Sequence, residues 1–173
     1  MKNKQVNIKI ATVKDSGILA QIGSRTFFET YFNQNDKANI DSYIKKTFNK
    51  KRINSEIKNK SSIFLVVSSN DSVIGYIKLR SNKKPKGLNK KAIEIERMYL
   101  VKEFIGRGIG KIIMKKCLNI ARDKNYETLW LGVWKRNTSA INFYKKFGFQ
   151  EFGFHKFKFG NKQHNDLLFK KEL

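Results

Sequence analysis

The sequence predicts an α/β protein, of mixed α+β type, in which one mixed but mostly antiparallel sheet of about seven strands is flanked by helices. Three observations predict this class. Strand patterns joined by a hairpin turn come early, strand and helix patterns alternate from residue 92, and two strand patterns close the chain. With 173 residues, of which 40% are apolar and 13% aromatic, the chain resembles one globular domain, which we expect to span 1–173.

The amino-terminal third is predicted to contain a strand and three helices. Apolar and polar residues alternate over 6–12, which is typical of a strand, and a helical pattern begins at Asp15. Asp36 or Asp41 is placed to cap a second helix, and a short third helix is predicted over 51–59. The apolar residues expected on one face of the first helix are Ile18, Leu19, Ile22, Phe27 and Tyr31.

Two pairs of adjacent strands are predicted from apolar runs separated by turn residues. Residues 62–68, with the continuous apolar run 63–67, predict a buried strand, and 73–80 return as its hairpin partner across an Asn70-Asp71 turn. Two further strands are predicted over 149–173, with a turn at Gly160-Asn161.

Between these pairs, strands alternate with helices. Gly148 follows the second helix at the position where a glycine ends a helix. The inward face predicted for the first helix comprises Ile109, Ile112, Ile113, Cys117, Ile120 and Ala121. The predicted elements are a strand over 92–101, a helix over 109–124, a strand over 128–134 and a helix over 137–147.

The formal net charge of +23 has two interpretations. The lysines of the chain are spread along its length and mixed with asparagines, which favours a basic solvated surface. Two denser clusters, at 45–60 and at 83–91 around Pro85, keep nucleic-acid binding open as an alternative. Neither cluster interleaves aromatic and basic residues as base-stacking surfaces do.

The compartment is predicted from what the composition lacks. No apolar stretch approaches the roughly 20 residues that span a bilayer, and the amino terminus has no apolar block typical of a signal peptide. Cys117 is the single cysteine, which fits a reducing environment. We therefore expect a cytoplasmic protein.

The segment 98–111 has the features of a phosphate cradle: a strand end, a glycine-rich turn and a helix start. Glycines at 106, 108 and 110 let backbone N–H groups converge on one anion, and the helix dipole is aimed at the same place. A pyrophosphate suits this geometry. A Walker loop is excluded because Ile112 follows Lys111 where Ser or Thr would hold magnesium, and the glycine spacing differs from the dinucleotide fingerprint.

A second motif lies on the following helix. Asn137, Ile141 and Tyr144 share one helical face, and Gly148-Phe149 closes the segment. Taken alone, the segment is also compatible with an ordinary amphipathic helix that buries Tyr144 in the core.

The two motifs together resemble the GNAT acyltransferase superfamily over most of the chain. The turn is similar to that family's coenzyme A pyrophosphate motif, Gln/Arg-x-x-Gly-x-Gly/Ala, except that Ile105 replaces the usual Gln or Arg. The Asn137…Tyr144-x-x-x-Gly148-Phe149 segment is similar to the second family motif. This resemblance implies the GNAT fold and an N-acetyltransferase that uses acetyl-CoA.

The resemblance also implies cofactor-binding residues. Asn137 would contact the pantetheine arm, and Tyr144 would lie beside the thioester sulfur. The backbone of Met98, Tyr99 and Leu100 would pair with the same arm. The residues expected around the pyrophosphate are Gly106, Arg107, Gly108, Ile109, Gly110 and Lys111.

Two catalytic roles follow from the chemistry of acetyl transfer to an amine. An alkylamine is mostly protonated at pH 7, so a carboxylate must help to remove a proton, and Glu96 is the candidate. The alternative is that Glu96 pairs with a neighbouring lysine. Tyr144 would protonate the departing thiolate, and a backbone N–H near Tyr99 would stabilise the oxyanion.

The acceptor is suggested by a narrower resemblance, to the PaiA-type polyamine N-acetyltransferases. It rests on residues 28–31, 95–99, 130–134, 147–149 and 164–166, and implies spermidine or spermine as acceptor. The candidate substrate-binding residues are Glu29, Tyr31, Glu94 and Asp166.

Other readings of the sequence remain. A protein N-terminus, a lysine or an aminosugar is the alternative acceptor, and a nucleic-acid-binding module on the same fold is the alternative of another class. Cys117 falls on a packed helix face, which favours a structural thiol over a nucleophile. His155 and His164 lack partners at metal-ligand spacing and are expected at the surface or substrate edge, so no metal is predicted. A homodimer is expected only from the family.

Overall fold

The computed structural model describes residues 6–34, 36–159 and 162–173, and within them seven strands form one sheet. In chain order the strands are β1 (Val6–Ile10), β2 (Ser62–Ser69), β3 (Ser72–Arg80), β4 (Ala92–Leu100), β5 (Thr128–Trp134), β6 (Gln150–Phe159) and β7 (Lys162–Glu172). Across the sheet the order is β1-β2-β3-β4-β5-β7-β6, and of these seven described strands only β4 and β5 are paired in parallel. This arrangement confirms the predicted fold class.

The helices begin and end close to the predicted positions. They are α1 (Ser16–Tyr31), α2 (Lys37–Thr47), α3 (Lys50–Lys58), α4 (Ile109–Asp123) and α5 (Thr138–Lys146). Asp36 caps α2 by accepting a hydrogen bond from the Ala38 N–H at 3.2 Å, so it rather than Asp41 is the cap. Gly148 has φ +79° just after α5, as expected for the residue that ends a helix.

The hairpin between β2 and β3 turns at the predicted dipeptide. Asn70 and Asp71 have φ of +47° and +64°, the left-handed values that a two-residue type I′ turn requires. The other predicted turn, Gly160-Asn161, lies outside the described residues.

Helices cover both faces of the sheet. The helices α4 and α5 pack on one face over a core that includes Ile77, Ile93 and Ile113, whereas α1 and α3 pack on the other around Tyr76. The side chains of α4 that are buried in this core are Ile109, Ile113, Met114, Cys117, Leu118 and Ala121.

One predicted inward position, Ile112, is wrong, and Ile18 on the predicted apolar face of α1 is partly exposed. Ile18 on α1 is 36% exposed and Ile112 on α4 is 47% exposed. The apolar stripe of α4 is centred on Ile113 and Cys117, so Ile112 lies at its solvent side although it is apolar. Apolar residues at helix surfaces are common, because burial is decided by the packing partner and not by the residue alone.

The sheet opens between β4 and β5. Their pairing is limited to Ala92–Glu94 of β4 against 128–130 of β5. One residue later β4 has a bulge: Leu79 of β3 is opposite Ile95, Lys78 is opposite Arg97, and Glu96 has no partner in that register. Because a bulge bends its strand, β4 turns away from β5 at this point.

Among the helices of the described part of the chain, none is long and apolar enough to cross a membrane.

Candidate active site

A cleft of about 1240 Å³ occupies the opening between β4 and β5. Residues 94–100 of β4 and 132–134 of β5 line its two sides, and the start of α4, residues of α5 and the end of α1 also contribute. The cleft therefore follows directly from the bulge in β4 and the early end of the parallel pairing.

The β4 edge of the cleft presents backbone groups without a neighbouring strand. On its other edge, Met98 pairs with Ile77 and Leu100 with Gly75 of β3. On the β5 side, pairing ends at Glu94, so residues 95–100 have no strand partner there within the described residues. Such an edge can hydrogen-bond to an extended ligand as it would to an added strand.

The glycine-rich turn borders the same opening. Gly106 and Gly108 have φ of +81° and +78°, a backbone conformation that glycine adopts without strain. Gly108 is the N-cap residue of α4, and no side chain caps the helix there. The first N–H groups of α4 therefore point outward at the positive end of the helix dipole, which is a site suited to an anion.

The other residues predicted for the cradle have different surroundings. Gly110 and Lys111 line the cleft, and a side chain at Gly110 would begin 3.3 Å from the Phe143 ring. Gly110 thus lets α4 approach α5 closely. Ile109 is buried in the core, so only its backbone can face a ligand, and Arg107 stacks over Phe104 at 5.3 Å outside the lining of the cleft.

Tyr144 and Asn137 bring α5 to the cleft. Tyr144 is half-buried, with its ring 5.4 Å from that of Phe143 and 5.9 Å from that of Phe149. Burial raises the pKa of its phenol above the ordinary value, so it keeps its proton at neutral pH. Asn137 caps α5, because its side-chain oxygen accepts the Ala140 N–H at 3.1 Å.

Glu96 lies in the cleft but is held by cations. Its Oε2 is 2.7 Å from Lys78 Nζ, and its Oε1 is 3.1 Å from Arg80 Nη1. The Lys78 contact has the distance of an ion pair without the alignment of a hydrogen bond. Glu96 therefore pairs with a neighbouring lysine, which is the alternative to a catalytic role that the sequence left open.

These contacts belong to a buried charge network on β3 and β4. Glu56 of α3 accepts from Arg97 Nη1 at 2.8 Å and lies 3.0 Å from Lys78 Nζ. Burial alone would raise the pKa of Glu56, but Arg97 and Lys78 outweigh it and lower that pKa. Arg80 also bonds to Glu94, which is buried. These ion pairs hold the charged side chains next to the bulge in place.

An aromatic wall, formed by Phe27, Tyr31, Tyr43, Trp134 and Phe157, lines the end of the cleft under α1 and α2. The Tyr31 and Trp134 ring centroids are 5.1 Å apart, and Phe27 stacks on Tyr43 at 4.5 Å. The Tyr43 ring meets that of Phe157 edge-on at 5.9 Å. Aromatic faces of this kind attract cations when water is excluded.

The carboxylates predicted to bind substrate differ in their partners. Glu29 lies 2.9 Å from Arg25 Nε, and Glu94 bonds to Arg80. Asp166 of β7 lies in the cleft with its Oδ1 enclosed and, within the described residues, without a hydrogen-bond partner. Burial raises the pKa of Asp166, and His155, His164 and Lys83 offset this only in part.

His155, expected at the surface or at the substrate edge, lines the cleft. Most residues of the aromatic wall were not among the predicted site residues. His155 and Phe157 alternate along β6 and both line the cleft. Alternation places them on one face, but the strand that pairs with β6 decides where that face lies. Cys117, by contrast, has the predicted structural role: it is fully buried, and burial raises its pKa to about 12.

Comparison with known sequences finds acetyltransferases. The Acetyltransferase (GNAT) family matches residues 25–149. An uncharacterised N-acetyltransferase from the pepI 3′ region of Lactobacillus delbrueckii subsp. lactis is 33% identical over 169 residues, 96% of this chain and 98% of the relative. The spermidine N(1)-acetyltransferase of Thermoplasma acidophilum is 26% identical over 151 residues, 84% of this chain and 88% of that protein.

Comparison with solved structures supports the same fold. The PaiA N-acetyltransferase of Thermoplasma acidophilum, solved in complex with coenzyme A, is similar to this chain with a TM-score of 0.80 and 22% sequence identity. The match covers 98% of this chain and 99% of that one.

Proposed function

The chain belongs to the GNAT acetyltransferase family and is an acyltransferase, and we propose that it moves an acetyl group from acetyl-CoA to a primary amine, namely spermidine or spermine. One observation carries the proposal: an unpaired strand edge and an uncapped helix start face the same cleft. An elongated donor with a diphosphate at one end and an amide-bearing arm at the other requires these two features side by side.

The proposed diphosphate site is the turn before α4. Backbone N–H groups from Gly108 onward carry the binding, and the glycine conformation keeps side chains out of the way. Lys102, Lys111 and Lys146 line the cleft and add positive charge. Because Ile105 is 61% exposed, its apolar side chain need not interfere with the backbone contacts.

The proposed site for the pantetheine arm is the open edge of β4. The backbone of residues 98–100 would hydrogen-bond to the arm's amides, and Asn137 lies in the same cleft. When bound, acetyl-CoA supplies the thioester carbonyl that the amine attacks.

Tyr144 is the proposed proton donor to the leaving thiolate. Its phenol lines the cleft and retains its proton because burial disfavours the phenolate. The same desolvation also raises the pKa of a thiol released beside it. The proton transfer therefore stays only mildly uphill, as it is between groups with the ordinary pKa values of about 10 for a phenol and about 8.5 for a thiol.

Glu96 fits the role of proton acceptor poorly. An arriving ammonium would have to compete with Lys78 and Arg80 for its carboxylate. We therefore assign Glu96 to the fixed charge network under the bulge, where it helps to hold the shape of β4.

A polyamine acceptor is supported by the chemistry of the cleft and by the relatives. The aromatic wall and Asp166 together suit an alkylammonium group. The spermidine acetyltransferase of Thermoplasma acidophilum is a distant relative over most of the chain. The net charge of +23 repels such a substrate at long range, but salt limits that repulsion to roughly 8–10 Å, inside which the local groups decide.

The proposal is tested by thiol release from acetyl-CoA across a panel of acceptors. Spermidine, spermine, peptides with free N-termini, peptides with an internal lysine, and aminosugars are compared at one concentration. The expected result is a kcat/KM for spermidine or spermine at least about tenfold above the others, a difference of about 1.4 kcal/mol in transition-state binding. A preference for a peptide or an aminosugar would refute the polyamine assignment, and no thiol release with any acceptor would refute the enzymatic proposal.

A further inference from the structure

We propose that His155 and Asp166 form the proton-accepting pair for the acceptor amine, in which Asp166 holds the ammonium group and His155 takes its proton. The inference rests on the proposed function, because it concerns the acceptor side of the same cleft. It gives the reaction a base that Glu96, held by Lys78 and Arg80, is poorly placed to supply.

The pair is placed by strand register. His155 of β6 is directly opposite Asp166 of β7, and Trp134 of β5 is opposite Asp166 on its other side. Residues opposite each other in antiparallel strands point to the same face, with Cβ atoms about 4.5–5.5 Å apart. His155 and Asp166 are thus neighbours on the cleft face of the sheet, beside a member of the aromatic wall.

Gly132 leaves the pair accessible from β5. A Cβ atom at this position would lie 3.4 Å from His155 Cε1 and 3.9 Å from Asp166 Cβ. Any longer side chain at residue 132 would therefore fill the space in front of the pair. Since Gly132 also lines the cleft, the space it leaves belongs to the substrate cavity.

Both members of the pair have unsatisfied polar atoms. Asp166 Oδ1 and His155 Nδ1 are enclosed, and in the described part of the chain neither has a hydrogen-bond partner. Leaving a buried polar atom unpaired costs about 1–3 kcal/mol, so such atoms call for a functional explanation. An ammonium group has several donors on one nitrogen and can satisfy both acceptors at once.

The charged groups around the pair favour a reactive carboxylate. Burial raises the pKa of Asp166, while His155 on the neighbouring β6, His164 two residues earlier on β7 and Lys83 after β3 act in the opposite direction. Tyr31 of α1 lines the same cleft, and burial first and then the Asp166 charge raise the pKa of its phenol. A desolvated carboxylate of this kind binds an ammonium strongly and stabilises an imidazolium next to it.

The proton balance closes with these groups. One proton passes from the ammonium to His155, and the neutral nitrogen forms a bond to the acetyl carbon as the carbon–sulfur bond breaks. The thiolate takes the Tyr144 proton. The second proton leaving the nitrogen restores the phenol, and His155 releases its proton to solvent. The sum is one amide, one thiol and one proton from an ammonium and a thioester.

The kinetic test compares His155→Gln and Asp166→Asn with the wild type between pH 6 and about 10, using spermidine and acetyl-CoA. We expect kcat at pH 7 to fall by about 10²–10³-fold in His155→Gln. The difference in kcat between the wild type and His155→Gln should become smaller near pH 10, where the amine itself begins to lose its proton (pKa about 10.4). Asp166→Asn should raise KM as well, because it removes the charge that holds the ammonium. Asp123→Asn, an exposed aspartate at the end of α4, is the matched control.

A merely structural role would give a different pattern. It would lower activity by the same factor at every pH, or shift KM without kcat, and either result would overturn the proposal. If the wild type turns over and His155→Gln has the same pH profile of kcat as the wild type, the proposed pair is refuted but the proposed function is not. Absence of wild-type turnover refutes the proposed function and with it the pair. Binding of acetyl-CoA, measured by calorimetry, should be the same in all four proteins.

A readout independent of activity is carbon-13 NMR of the aspartate carboxyls in the enzyme without ligands. One carboxyl should titrate above the ordinary aspartate range and be absent in Asp166→Asn. In His155→Gln it should titrate higher still, because a neighbour that lowers the Asp166 pKa has been removed. If no aspartate titrates above the ordinary range, or if the signal is indifferent to His155→Gln, the two residues do not form a coupled pair.

Discussion

Glu94 and Trp130 are the last residues at which β4 and β5 are paired. Beyond them β4 bulges at Glu96 and the strands separate, so that the edge of β4, the start of α4 and the aromatic wall face one cleft. This bulge and the early end of the parallel pairing thus open the cleft that is the proposed site of both substrates.

Gly108→Ala should weaken acetyl-CoA binding. Gly108 has φ +78° and lines the cleft, so alanine adds both backbone strain and a methyl group where the anion is proposed to sit. The strain costs about 1–2 kcal/mol of stability. We expect the dissociation constant for acetyl-CoA to rise by about tenfold or more, corresponding to about 1.4 kcal/mol. Calorimetry on the folded variant measures this.

The control for that change is Gly87→Ala. Gly87 has φ +89° in the loop between β3 and β4, outside the cleft, and an added Cβ there also meets nothing within 4 Å. It should lose similar stability and keep full affinity for acetyl-CoA. Equal affinity in both variants would count against the proposed diphosphate site.

Tyr144→Phe should lower turnover without weakening donor binding. Removing the phenol proton should reduce kcat by about 10²-fold, whereas the ring contacts with Phe143 and Phe149 are retained. Tyr126→Phe removes the same hydroxyl from a tyrosine outside the cleft and should leave kcat unchanged. A kcat in Tyr144→Phe within about twofold of the wild type would remove Tyr144 from the role of proton donor.

Asp166→Asn should stabilise the protein while it lowers activity. The folded-state pKa of Asp166 is raised, so the ionised form is disfavoured by folding. The ionised carboxylate therefore lowers the free energy of unfolding at pH values above its folded-state pKa. This destabilisation disappears as the pH falls below the pKa that Asp166 has in the unfolded chain. At pH 7 a gain on the order of 1 kcal/mol would raise Tm by about 2–4 °C. A lower Tm at pH 7, with no such difference at pH 3, would contradict this assignment.

Glu56→Gln should destabilise the protein in a pH-dependent way. It breaks a largely buried set of ion pairs, a change that costs about 3–5 kcal/mol when one partner is removed. The folded-state pKa of Glu56 is lowered, so its contribution is complete above the unfolded value and is lost as the pH falls through the folded pKa. Denaturant unfolding at several pH values measures the difference between variant and wild type.

Glu172→Gln is the surface counterpart of that substitution. Glu172 also has a lowered pKa, mainly from Lys90, but its side chain is half exposed. Exposed pairs of this kind contribute only about 0–1 kcal/mol. If Glu56→Gln and Glu172→Gln lowered the free energy of unfolding by similar amounts, the buried network would contribute no more to stability than an exposed ion pair.

Local patterns were enough to predict most of the elements. The Asn70-Asp71 turn and the Gly148 helix end are properties of a few adjacent residues, and the structure confirms them. The inward position of Ile112 was predicted incorrectly, because the face of a helix that is covered depends on residues far along the chain.

The bulge and the neighbours of the candidate residues could not be read from the sequence. Glu96 stands in an unbroken strand pattern, and only its register against β3 reveals the extra residue. His155 and Asp166 are brought together by the pairing of β6 with β7. Family motifs indicated which residues bind and react, but they did not show that Lys78 and Arg80 already hold Glu96.

Hydrogen exchange of the backbone amides, with and without acetyl-CoA, shows directly where the donor lies in the cleft. If the donor lies along the open edge of β4 with its diphosphate at the start of α4, acetyl-CoA should slow exchange at residues 98–100 and 109–111 above all others. Unchanged exchange at these amides, or protection confined to the lysine-rich surface of α2 and α3, would contradict the account.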